Sequence, residues 1–243
     1  MDAKATKKTL LSFLFGAFFM QVVPNPVAAQ SAIEGNNFDK TVRIYDANGR
    51  AMVNPSMEAE GSPLFLSNWK LGWIQLGDNR VFTAIPLRLD LEQQEVHYKR
   101  ADGTDIDVQP GQVKQMGITD TIAGSPVVYL FFSGFPPIDN QTETSFYLVL
   151  DTGRVALLES LRKKIFQEKN AYAGNFVKEY RLYSDFYVIR SGKMVRVKRD
   201  AKFFRELTND KQVQMDDYLN KNKVSFKSMD DIRKLIHYYN ALP

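Results

Sequence analysis

The reading of the fold turns on Gly61–Val108, GSPLFLSNWKLGWIQLGDNRVFTAIPLRLDLEQQEVHYKRADGTDIDV. Within it Val81, Ile85, Leu87, Leu89 and Leu91 are apolar, and Arg88 and Asp90 fall between them. A period of two is the mark of a half-buried antiparallel strand. WKLGWIQL before it runs into Gly77-Asp78-Asn79-Arg80, and EVHYKR after it runs into Ala101-Asp102-Gly103-Thr104, so turn clusters join three strands into a meander. Trp69, Leu71 and Trp73 alternate on one face. Ile74 and Leu76 then continue on the other, with Gly72 at the junction, which predicts a bulge in this strand. Pro86 cannot donate to a ladder, so it predicts a sheet edge or a second bulge and a sheet that bends.

Upstream, Lys4, Lys7 and Lys8 precede the apolar run LLSFLFGAFFM, and Val27-Ala28-Ala29 supplies small residues. This is the pattern of a cleaved signal peptide over 1–29, with processing before Gln30. The apolar run is too short for a spanning helix, and Pro24 and Pro26 follow it. The expected address is the periplasm or the exterior. Residues 30–40 read as a flexible arm, and Val42–Val53 as a first hairpin through Asn48-Gly49.

Downstream, Gln112–Ile118 reads as a short strand, Asp120–Pro126 as a turn and VVYLFF (127–132) as the most buried strand. Pro136-Pro137 with Asp139-Asn140 reads as a loop, and TSFYLVL (144–150) as a strand ending at Asp151-Thr152-Gly153-Arg154. VALLESLRKKIFQEK (155–169) fits either a helix, with Leu158, Leu161 and Ile165 on one face, or the return strand of a hairpin. The strong turn before it and the charge block Arg162-Lys163-Lys164 favour the strand. Phe186–Ile189 and Met194–Val197 form a hairpin through Arg190-Ser191-Gly192-Lys193. Three short helices end the chain: Asp200 caps the first, Asn209 or Asp210 the second, and Ser228 with Asp231 the third, where Ile232, Leu235, Ile236 and Tyr239 trace one face.

The expected fold is therefore a β-rich α+β protein: a twisted antiparallel sheet over 41–198, curled into a half-barrel, with a helical segment, 199–243, packed on it. Of 243 residues, 44% are hydrophobic and 25% charged, the balance of a globular chain. Without cysteine there is no disulfide framework, thiolate catalyst or acylation site. A processed chain of about 214 residues must hold itself by burial and is long enough to do so. Processing removes three lysines and one aspartate from totals of 32 bases and 28 acids, leaving a near-neutral protein with no electrostatic footprint for nucleic acid.

Chemistry is sparse. The only histidines are His97 and His237, and neither Ser62 nor Ser125 has the glycine spacing of a nucleophile elbow. Asp102, Asp105 and Asp107 lack the spacing of a calcium loop, and Asp102-Gly103 reads as a hairpin tip. No cofactor, metal site or catalytic residue is indicated. The aromatics offer more: Trp69, Trp73, Phe131, Phe146 and Phe186 lie on expected strands, where a curved sheet would line an apolar concavity with them, or where they are ordinary core. The leading expectation is an exported, non-enzymatic binding protein for a lipid or another apolar or amphipathic ligand. The alternative is an interaction module for a protein of the cell envelope, and a hydrolase ranks third.

GSPLFLSNWKLGWIQL with GDNRVFTAIPLRLD, and DFYVIRSGKM with KSMDDIRKLIHYYN, resemble a group of secreted Gram-negative bacterial proteins of unknown function. These share a Gly-Ser-Pro start, a Trp-x-x-Gly turn and a C-terminal Tyr-Tyr-Asn helix. Leu89-Asp90 stands here where Tyr-Asn is usual in that group. The resemblance implies an exported address and a fold type, with no activity or site residue attached.

Overall fold

The computed structural model describes residues 59–169 and 176–243. The expected signal peptide, the arm and the Val42–Val53 hairpin lie outside the described residues.

Among the described residues ten strands form one antiparallel sheet: β1 (Lys70–Leu76), β2 (Val81–Asp90), β3 (Glu95–Lys99), β4 (Asp105–Val108), β5 (Val113–Ile122), β6 (Ser125–Phe132), β7 (Tyr147–Asp151), β8 (Val155–Lys169), β9 (Phe176–Arg190) and β10 (Lys193–Arg196). Their order in space is β4-β3-β2-β1-β5-β6-β7-β8-β9-β10, so two meanders meet where β1 lies beside β5. Residues 155–169 are strand, as the turn at Thr152-Gly153 favours. The tight turns are made by residues in left-handed conformations, Ala123-Gly124 between β5 and β6 and Ser191-Gly192 between β9 and β10. Of the expected turn Asp120–Pro126, Asp120–Ile122 stay in β5 and Ser125-Pro126 in β6, because Ala123-Gly124 suffice to reverse the chain.

The bulge is real, but it sits in β2. Gly72 pairs with Ile85 and Trp73 with Thr83, leaving Ala84 unpaired at φ +56°. β1 itself alternates without a break: Gly72, Ile74 and Leu76 are buried, whereas Leu71 is 60% exposed. The sequence suggested a phase shift in β1 because that strand is apolar on both faces. In β2 the extra residue makes Phe82, Ile85, Leu87 and Leu89 the inward set and turns Val81 outward. Pro86 pairs with Leu71 one residue beyond the end of the β2–β3 ladder, where no donor is needed.

This irregular point bends the sheet. Residues 109–112 join β4 to β5, so the step from Val108 to Val113 reaches about 18 Å at most. In a flat sheet the width of the four intervening strand spacings alone would be about 19 Å. Val108 would also lie at the opposite end, since it pairs with Val96 near the end of β2, whereas Val113 pairs with Leu76 near its start. The sheet therefore folds over at Ala84–Pro86, and Val108 and Val113 enter one buried cluster with Ile74, Leu87, Leu89, Met116 and Phe131.

Two further clusters fill the other end. Val155, Leu157 and Val188 meet Phe204 of α1 (Ala201–Leu207), Met215 of α2 (Gln212–Asn222) and Ile232, Leu235, Ile236 and Tyr239 of α3 (Met229–Ala241). On the opposite face Tyr147, Leu158, Tyr187 and Met194 pack with Phe135 and Ile138 from the loop between β6 and β7. Asp200 caps α1 and Ser228 caps α3, each accepting a backbone N–H. Neither Asn209 nor Asp210 caps α2. They form a 3-10 turn, and Asp210 instead accepts from Tyr239 Oη at 2.8 Å and pairs with Arg190 at 2.9 Å. No helix among the described residues is long and apolar enough to cross a membrane.

Candidate functional site

The outer face of β2, β1, β5 and β6, turned away from the first cluster, carries three cross-strand rows. Leu71 lies opposite Pro86 and Thr119 opposite Val128; the pairing of Gly72 with Ile118 makes these one row. Thr83, Trp73, Gly117 and Leu130 form the second, and Val81, Gln75, Gln115 and Phe132 the third. Leu71, Val128 and Val81 are 60%, 51% and 40% exposed. Trp73 is half-buried because its indole lies over Gly117, where any Cβ would fall 2.3 Å from Nε1, deep inside van der Waals contact. The ring is thereby laid flat along the sheet, leaving an apolar strip in water.

Trp69 stands on the same outer side beyond the bend. Its ring faces the Arg88 guanidinium at 4.2 Å and the Lys99 ammonium at 4.9 Å. His97 Nδ1 lies 2.5 Å from Asp107 Oδ1, and Lys99 pairs with Asp105 at 3.2 Å. Asp102 accepts from Thr104 N–H at the hairpin tip, which holds its carboxyl below the usual range. All three aspartates are thus engaged, and no cluster of metal-ligating side chains occurs among the described residues.

The expected aromatic residues do not converge. Phe131 is core on the inner face, edge-on to Phe65 at 5.0 Å between ring centroids. Phe146 is buried, its N–H held by Gln94 Oε1 at 3.0 Å. Phe186 lies 5.7 Å from the Arg199 guanidinium carbon, away from both tryptophans. A shallow open depression of about 510 Å³ is lined by Ala201, Lys202, Arg205, Glu206, Asn209 and Gln212, with no aromatic residue. Only Trp73 belongs to the outer strip. Its neighbours Leu71, Val81, Val128 and Leu130 were missed as candidates, although apolar residues in both phases of β1 were a usable signal of two apolar faces.

Both histidines touch a carboxylate. His237 Nδ1 lies 2.9 Å from Asp151 Oδ2, and Asn240 Nδ2 donates to Asp151 Oδ1 at 2.9 Å. Among the described residues no hydroxyl stands within hydrogen-bond reach of either ring, so the nucleophile of a triad is not brought to them. A polar network lies under the β6–β7 loop: Tyr187 Oη donates to Asp139 at 2.8 Å, and Arg162 and Arg196 both pair with Asp185. Burial pushes the Tyr147 phenol up to about 12, and pushes Tyr187 higher still with help from Asp139.

Comparison with known proteins adds no relative: no protein-family model, no curated protein and no solved structure matches the chain.

Proposed function

We propose that this chain is an exported, non-enzymatic binding protein of the cell envelope, and that it engages a partner protein through the outer face of β2, β1, β5 and β6. In this reading the strands from β1 to β5 form a half-barrel, and the strip is its convex side. The observation that carries it is the row in which Leu71 and Val128, 60% and 51% exposed, stand next to the flattened ring of Trp73. Contiguous apolar surface on a soluble face, with polar side chains at its edge, is the usual form of a protein contact. A carrier of apolar ligands needs an enclosed concavity, and the aromatic residues expected to line one are split between core and surface.

The test is site-specific photo-crosslinking in the source cells from position 128, with position 213 on α2 as the control. A discrete protein adduct formed from 128, absent from 213 and lost when Leu71→Glu is added supports the reading. A lipid or other small molecule that copurifies in native mass spectrometry and is displaced by Trp73→Ala would replace it with the carrier reading.

A further inference from the structure

The long hairpin of β8 and β9 outruns its neighbours. β7 pairs with β8 only over Leu157–Glu159, and the turn after β2 reaches no further than Lys163, whose N–H donates to Leu91 O at 3.1 Å. Beyond that point β8 pairs with β9 as far as Lys169, and among the described residues nothing lies on its other side. Main-chain groups on a strand point alternately to the two edges. Because the Lys163 N–H and the Leu161 C=O point away from β9, Ile165 and Gln167 present their N–H and C=O on that same open edge.

We infer that this edge is a homodimer contact, in which β8 of one copy pairs antiparallel with β8 of a second copy about a two-fold axis at Phe166. In this register Ile165 and Gln167 of opposite copies exchange N–H to O=C bonds, four in all. Phe166 meets its own counterpart at a non-hydrogen-bonded position, where side chains approach most closely. Lys164 falls opposite Glu168 of the other copy, twice. Lys164 and Glu168 are exposed on the face that carries Phe166, and the ring is stacked under the Arg181 guanidinium at 3.3 Å. Moving the axis by one residue sets Lys164 or Glu168 against Phe166, and a parallel pairing sets Lys164 against Lys164. Charges on an edge strand ordinarily deter pairing. Here their order favours the register centred on Phe166, the one that sets both lysines against glutamates, and the partner it fits is this same chain. Ile165, 45% exposed, would be covered on the opposite face of the ribbon.

Sedimentation equilibrium of the purified protein over a concentration series tests the inference. So short an edge gives a weak reversible dimer, with a dissociation constant on the order of 10 µM. Ile165→Pro removes one outward N–H and leaves every bond to β9 in place, so it should raise that constant at least about tenfold. Lys164→Glu should weaken it similarly, and the double variant Lys164→Glu with Glu168→Lys should return to within about threefold of the parent. A protein that stays monomeric up to about 1 mM, a dimer indifferent to Ile165→Pro, or a double variant as weak as the single overturns the proposal.

Discussion

The side chain of Asn240 is bonded to both main-chain groups of Val155: Oδ1 accepts its N–H at 3.0 Å, and Nδ2 donates to its C=O at 2.8 Å. The same Nδ2 reaches Asp151 and the Thr152 carbonyl, so one carboxamide ties the last turn of α3 to the turn between β7 and β8. Gly153 lies directly beneath it, and a Cβ there would sit 2.6 Å from Asn240 Cγ. The Tyr-Tyr-Asn ending is thus structural: Tyr238 stacks on Tyr218, Tyr239 bonds Asp210, and Asn240 closes the turn.

Asn240→Ala should cost about 2–3 kcal/mol by leaving Val155 and Asp151 short of partners. Gly153→Ala should cost a similar amount through the clash and its φ of +151°. Together they should cost less than the sum, since the smaller side chain at 240 makes room for the new methyl group. Urea denaturation of the double-mutant cycle reads this directly.

Gly117→Ala should lift the Trp73 indole off the sheet, red-shift the tryptophan emission and destabilise the fold by about 1–3 kcal/mol. Leu71→Ser, one row away, should change stability by no more than about 0.5 kcal/mol. Leu89→Ala, fully buried in the first cluster, should cost about 3–5 kcal/mol. Urea midpoints that ranked Leu71→Ser with Leu89→Ala would mean the strip is core.

These contrasts show what the sequence disclosed. Turns and caps were legible because their causes are local: Asp200 and Ser228 cap by reaching three residues ahead, and Ser191-Gly192 turns by backbone freedom alone. The bulge read at Gly72 of β1 lies instead at Ala84 of β2, two residues before Pro86, because its position is a register between strands that neither strand states by itself. The outer strip was legible only as surplus hydrophobicity. Asn209 or Asp210 was expected to cap α2, but both lie in a 3-10 turn, and Arg190 and Tyr239 come from elsewhere in the chain to claim Asp210.

The alkaline limb of stability should be set by buried tyrosines. Tyr147 has a folded pKa of about 12 and Tyr187 is shifted the same way, each mainly by burial. The unfolded chain ionises near pH 10 while the folded chain stays neutral, so their contribution is whole below that pH and is lost as pH rises from there through about 12. Spectrophotometric titration near 295 nm, about where tyrosinate absorbs, should find a fraction of tyrosines that ionise only on unfolding. Tyr187→Phe should make that limb less steep.

The acid limb has a counterpart at Asp210. Burial works to raise its pKa, but the Tyr239 hydrogen bond and the Arg190 charge together outweigh it and hold the carboxyl below its ordinary value. That stability is present above the unfolded carboxylate range and is lost as pH falls through the lower folded value. Tyr239→Phe should shift the acid unfolding midpoint upward, as followed by circular dichroism.

Ala84→Gly should be neutral or stabilising and Ala84→Val destabilising by about 1–2 kcal/mol, because only the bulge requires φ +56° there. Thermal melts of the two variants against the parent decide it.

The β1–β5 seam has a kinetic consequence. Among the described residues every other ladder joins strands that follow one another along the chain, whereas Gly72 must find Ile118 across all of β2, β3 and β4. The hairpins on either side can zip independently on a timescale of about microseconds. The seam must wait until the enclosed meander has bent back far enough to bring its ends together. The speed of folding is therefore governed by how readily β2 yields at Ala84, and a substitution that stiffened that point would delay the closing of the whole sheet while leaving each hairpin as quick as before.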